Sequence, residues 1–177
     1  MDADHDPILR FKAVAEAFCG SIESAGTRSR DDFLREVAAA LSSLYRAALD
    51  VPDVWDDDWQ FVGEHGPSKP AQRRLDAALR QMLSDADMYT TVVAYGEHEG
   101  EEVGGHSLSD DLLDIYVEVF VGLELLRSGS TPGEAAWMWR FGFWGHWGEH
   151  AVQALRIIHA RVAENIGGTT VIAGGGH

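Results

Sequence analysis

His146-Trp147-Gly148-Glu149-His150 sets two imidazoles four residues apart. On a helix that spacing stacks one side chain a turn above the other, close enough for both to bind one divalent cation. Upstream, Ser109-Asp110-Asp111-Leu112-Leu113-Asp114 and then Glu118 bring carboxylates at helical spacing. Asp110 and Asp114 share a face, with Asp111 and Glu118 beside it. Carboxylates facing a histidine pair are the donor set of a metal-dependent hydrolase-like site, with His146, His150, Asp111 and Asp114 as its ligands and Glu118 and Glu149 nearby.

Two motif readings are excluded. The string H-x-x-E-H is that of the inverted zinc proteases, which need a further carboxylate ligand. The later acid of that helix is Glu164, 14 residues beyond His150, about 21 Å along a helix axis. Asp110-Asp111-Leu112-Leu113-Asp114 also matches the magnesium signature of isoprenoid synthases, but the sequence shows no second acidic helix to complete it. Acids in a first turn complement the helix dipole, which accounts for Asp110 and Asp111 better than for Asp114 and Glu118. For the histidines the favoured reading is two neutral imidazoles hydrogen-bonded inside an aromatic core, ahead of metal binding and of acid–base catalysis.

The histidines lie in 137–150, which holds four of the six tryptophans along with Gly142, Gly145 and Gly148. A glycine inside a helix costs about 1 kcal/mol relative to alanine, so neighbours are expected to approach this backbone, the glycines making room for tryptophans. At 100° per residue Trp139, Phe143, His146, His150 and Ile157 form one stripe and Trp137, Phe141, Trp144, Val152 and Leu155 another. That pattern predicts a long central helix, buried on two sides, from Pro132 to about Asn165. The helix before it starts at Ser107 or Ser109 and ends near Gly129. A short connection makes the two antiparallel, which brings the aspartates and the histidines to the same height.

Three further helices are expected. The first follows Asp6-Pro7 and buries Phe11, Val14, Phe18 and Ile22; the second runs from Ser29 or Asp31 to about Leu49, burying Phe33, Val37, Leu41, Leu44 and Tyr45. The third spans Pro70 to Ala86. The connection from Asp50 to Pro70 is expected to be packed down by Trp55, Trp59 and Phe61. Tyr89 to Tyr95 reads as a short extended segment, and Glu97 to Gly105 as an acidic, mobile loop. The chain is thus an all-α single-domain bundle of about five helices over 6–165, with 166–177 a disordered tail.

The net charge of -15 excludes nucleic-acid binding through a basic surface. The longest apolar stretch, Ile115 to Leu126, is broken by Glu118 and Glu124 and is too short to span a bilayer. With no secretory signal pattern at the acidic N-terminus, a cytoplasmic location is expected. The single cysteine, Cys19, excludes an intrachain disulfide and reads as a buried, inert thiol.

Phe18-Cys19, Ile22-Glu23, Leu44-Tyr45 with Leu49-Asp50-Val51-Pro52, Ser107-Leu108-Ser109-Asp110-Asp111-Leu112 with Asp114-Ile115-Tyr116, and His146-Trp147-Gly148 with His150, Ala151 and Leu155 together resemble a family of bacterial proteins known only as a domain of unknown function. The resemblance spans about 8–165. It implies an all-helical cytosolic domain, singles out Asp110, Asp111, Asp114, Tyr116, His146 and His150, and implies no activity. The favoured functional reading is a non-enzymatic module that binds a protein partner or small molecule. The alternative is a metal-dependent helical enzyme whose aspartates face the histidine pair.

Overall fold

Helices here begin where a side chain can hold the first free N–H groups. Asp6 accepts from Ile8 N ahead of α1 (Pro7–Glu23), Ser29 from Asp32 N ahead of α2 (Arg30–Ala48), and Ser68 from Ala71 N ahead of α3 (Lys69–Leu83). Ser107 caps α4 (Leu108–Arg127). At α5 (Pro132–Gly142), Thr131 and Glu134 cap each other reciprocally. Helix α5 then passes through a π turn, Phe143–Trp147, directly into α6 (Gly148–Gly168). This computed structural model describes residues 6–55, 66–94 and 101–168. Counting α5, the π turn and α6 as one rod, the protein is an all-α bundle of five helices among the described residues, plus one β-hairpin.

The core takes in most of the expected α1 and α2 faces, with Val14 and Tyr45 half-buried at its edge. Phe11, Phe18 and Ile22 of α1 meet Phe33, Val37, Leu41 and Leu44 of α2, and Leu79 and Leu83 of α3 join Leu112, Ile115 and Val119 of α4. Helix α1 packs on α2 and α4, α6 lies against both of those, and α3 covers α4. Cys19 is buried and its thiol is pushed up to about 12, mainly by desolvation, which keeps it an unreactive thiol at neutral pH.

The α4–α5 corner is a Schellman turn. Gly129 takes φ +93°, Ser130 N donates to Leu125 O at 3.0 Å and Gly129 N to Leu126 O at 3.3 Å. The two helices return antiparallel and approach closely at Gly122, where a Cβ would run into the Trp139 indole. The indole Nε1 of Trp139 donates to Val119 O at 2.9 Å, so the ring is pinned across α4.

Four expectations are corrected. First, the long helix is not one α-helix, and it does not stop at Asn165 but continues to Gly168. The buried positions Trp139, Phe143, Trp147 and Ala151 are spaced by four, and each such step overshoots a full α-helical turn by about 40°. The wide turn absorbs that drift and keeps these residues in line. Second, the histidines of their stripe are not buried: His146 is exposed and His150 half-buried, although Trp139, Phe143 and Ile157 of the same stripe are buried. Phe141, Trp144 and Val152 are also exposed, so the rod is buried along one side and open along the other. Third, Gly145 makes room for no tryptophan, since a Cβ there meets nothing within 4 Å, whereas Gly142 does lie against Trp147.

Fourth, the end of the segment read as a mobile loop is a strand. β1 (Met88–Ala94) pairs antiparallel with β2 (Glu101–Ser107), Tyr89 opposite His106 and Thr91 opposite Gly104. The β-prone run after Met88 takes the adjacent chain as its partner despite the glycines, because pairing outweighs intrinsic preference. Residues 97–100 and the 169–177 part of the expected tail lie outside the described residues. So do Trp59 and Phe61; Trp55 packs its ring 5.3 Å from that of Trp137 while staying largely exposed. No described helix is long and apolar enough to cross a membrane.

Candidate metal centre

Helix α4 supplies the acids and the π turn with α6 supplies the histidines. Asp87, buried in the turn before β1, fixes where α4 begins: its carboxylate accepts from Ser109 N at 2.7 Å and from Ser109 Oγ at 2.9 Å. From that start, Asp111, Asp114 and Glu118 descend one side of α4 toward the rod. The rod meets them with His150 and then His146, in the order antiparallel helices require.

Each histidine has a carboxylate on its Nδ1. Asp111 Oδ1 lies 2.7 Å from His150 Nδ1, and Glu118 Oε1 is hydrogen-bonded to His146 Nδ1. With the Nδ1 atoms held this way, both Nε2 atoms turn toward one point and stand 3.2 Å apart. Asp114 Oδ2 lies 3.8 Å from His150 Nε2. Ligand atoms of Asp114, His146 and His150 fall within 4.8 Å of one another. Two ligands at about 2.1 Å from one ion stand roughly 3–3.5 Å apart, so the two Nε2 atoms already have a ligand-pair separation.

Of the other residues singled out from the sequence, Asp110 faces away and binds Ser107 Oγ at 2.6 Å and Arg80. Tyr116 donates to Glu23 Oε1 at 2.6 Å, toward α1. Glu149 points to solvent. Asp111, expected as a ligand, has its Oδ1 on His150 Nδ1, while the Nε2 of that ring stands beside His146. Two residues of this arrangement escaped the sequence reading. Tyr89 donates to Asp111 Oδ2 at 2.5 Å, and Gly142 leaves the space that the Glu118 carboxylate fills. Only the glycine left a signal, as a small residue in a helix expected to make room for a tryptophan.

The electrostatics follow from these contacts. The Asp111 hydrogen bond raises the His150 pKa, burial opposes it, and the charges of Asp111 and Asp114 add to the rise. Burial pushes the Asp114 carboxyl up, while His150 and His146 pull it down. Because the folded pKa of His150 lies above its unfolded value near 6.5, its contribution to stability is complete below that pH and is lost as pH climbs through the raised value. In chelator-treated protein the stability advantage of wild type over His150→Gln is therefore expected to shrink from pH 6 to pH 9 in urea titrations. An advantage constant across that range would mean that the pair is not coupled.

A cavity of about 340 Å³ opens beside His146 and Glu118, walled by Val121, Met138 and Phe141. A larger one of about 490 Å³ between α1 and α2 is lined by Arg10, Arg46 and Asp50 and includes no histidine.

A family model described as Domain of unknown function (DUF5063) matches residues 4–164. The chain belongs to this family. The match spans every residue of the candidate centre. Among solved structures, the chain is similar to the crystal structure of a protein from Bacteroides fragilis, with a TM-score of 0.74 and 22% identity over 90% of this chain and 94% of that one. At that identity the likeness extends to the fold. No curated protein matches the chain.

Proposed function

We propose that this DUF5063 chain binds one divalent transition-metal ion through His146 Nε2, His150 Nε2 and the Asp114 carboxylate. The observation that carries the reading is the pair of converging Nε2 atoms, each on a ring whose Nδ1 is held by its own carboxylate. In a metal site, outer carboxylates of this kind fix the tautomer, aim the free nitrogen and raise its basicity. Without an ion the two Nε2 atoms, 3.2 Å apart, can share a hydrogen bond only while one ring is protonated, whereas a bound cation satisfies both nitrogens with the rings neutral.

Two imidazoles and one carboxylate suit zinc, iron or manganese. Three protein ligands leave at least one position for water or substrate, the mark of a catalytic rather than a structural centre. This favours the enzyme reading: the ion would polarise a carbonyl or phosphoryl oxygen or lower the pKa of a bound water, with the cavity beside His146 as the place for the substrate. The interaction-module reading draws on Phe141 and Trp144, both about two-thirds exposed on the open side of the rod.

Protein purified without chelator and reconstituted with zinc is expected to hold close to one equivalent by elemental analysis. His150→Ala and Asp114→Ala should lose it, and Asp110→Ala should keep it. Affinity should fall at acid pH, because binding displaces the proton on His150. No retained ion in wild type, or full retention in His150→Ala, would refute the centre.

A further inference from the structure

We infer that Tyr89 is a positioning residue that couples the β-hairpin to the metal site, by fixing the carboxylate that aims His150. The inference rests on the metal reading above. Asp111 has its two oxygens divided between two partners: Oδ1 to His150 Nδ1 at 2.7 Å and Oδ2 to the Tyr89 hydroxyl at 2.5 Å. A carboxylate held at both oxygens cannot rotate about its Cβ–Cγ bond without breaking one contact. The plane of Asp111 is therefore set from the hairpin, and the tilt of the His150 ring is set from Asp111.

Tyr89 is itself well placed to impose this. Its side chain is buried, and its ring stacks on that of His106, the residue directly opposite on β2, at 5.6 Å and 22°. Burial and the Asp111 bond push its phenol well above the ordinary tyrosine range, so it stays a donor at every working pH. The base of the hairpin also bridges both ligand-bearing elements. β2 runs straight into α4 at Ser107 and Leu108, and the Met88 carbonyl accepts from Arg161 of α6 at 3.1 Å.

Two consequences distinguish this role from ordinary packing. Removing the hydroxyl leaves the buried Asp111 with one partner and frees its plane, which should weaken metal binding without touching a ligand. In the reverse direction, an ion on His150 Nε2 strengthens the donation from Nδ1 to Asp111. That holds the carboxylate more firmly in the plane that Tyr89 also fixes, since coupling between two sites is reciprocal.

The test compares Tyr89→Phe with Tyr116→Phe, which loses a phenol–carboxylate bond of the same kind, to Glu23, with no link to either histidine. Zinc affinity by chelator competition is expected to fall by up to about 10-fold in Tyr89→Phe, the lower end of the range for direct partners of ligating histidines, because Tyr89 acts one bond further out, and to stay within about twofold in Tyr116→Phe. The visible absorption bands of the cobalt(II)-substituted protein should shift only in Tyr89→Phe, a change that a purely structural role would not produce. In wild type, zinc should slow hydrogen exchange at the β1 amides, a measurement that stands even if the variant does not fold. Tyr89→Phe with wild-type affinity and cobalt spectrum, or β1 exchange indifferent to zinc, would overturn the coupling and leave the metal reading intact. A wild type that takes up neither zinc nor cobalt removes both.

Discussion

Trp147→Ala is expected to destabilise the protein by about 3–5 kcal/mol, the usual cost of removing a large aromatic from a core. The Trp147 side chain is fully buried. Its ring centroid lies 4.9 Å from that of Phe143 and 6.3 Å from that of Phe11, and its Nε1 donates to Trp139 O at 3.2 Å. Truncation leaves a void between α1 and the rod, at the π turn. A domain of this size is held together by roughly 5–15 kcal/mol, so the variant should unfold at a much lower urea concentration. Trp144→Ala supplies the contrast, because that ring is 65% exposed and its loss should fall within about 0.5 kcal/mol. Equal urea midpoints for the two variants would mean that Trp147 is not where the core is anchored.

The difference between these two tryptophans marks the limit of what the sequence could say. The faces of α1 and α2 were legible because Phe11, Phe18, Ile22, Phe33, Val37 and Leu41 repeat at a regular helical period with nothing to interrupt it. The same arithmetic applied to 137–150 put His146 on a buried stripe, because a constant 100° per residue cannot register one wide turn. The clue was present in another form, as Trp139, Phe143, Trp147 and Ala151 repeat at four where an α-helix averages 3.6. Strand β2 was missed because its residues have little strand preference of their own and form a strand only through pairing with β1.

The candidate site divides in the same way. That α4 and the rod bring acids to histidines followed from equal distances to the Gly129 corner, a local count. Which acid meets which histidine did not follow, because Asp110, Asp111 and Asp114 are chemically alike. Their roles are set by where α4 starts, and that start is fixed by Asp87, a residue from outside the helix. One step around the helix sends Asp110 to Arg80 and Asp111 to His150. Tyr89 was beyond reach for the same reason: it is 22 residues from Asp111, on an element whose docking depends on the finished fold.

The π turn itself makes the last prediction, which turns on sign. Alanine for glycine inside a helix normally stabilises by about 1 kcal/mol, and at Gly145 it should do so, because a Cβ there stands in open space. At Gly148 the same change is expected to destabilise by about 1–3 kcal/mol. Gly148 N donates to Phe143 O, five residues back, and that wide bond brings the carbonyl oxygen onto the place a Cβ would occupy, with the Phe143 ring at 3.0 Å behind it. A backbone oxygen cannot rotate aside as a side chain can. The strain is relieved only by giving up the π turn, which rotates all of α6 by about 100° relative to α5 and carries His150 away from Asp111 and Asp114. Gly148→Ala should therefore lose metal affinity together with stability, while Gly145→Ala gains a little of the second and keeps the first. Urea melts and zinc competition on the two variants separate these outcomes. A Gly148→Ala protein more stable than wild type would show that the wide turn is not held by the sequence, and the geometry that aims both histidines would lose its physical basis.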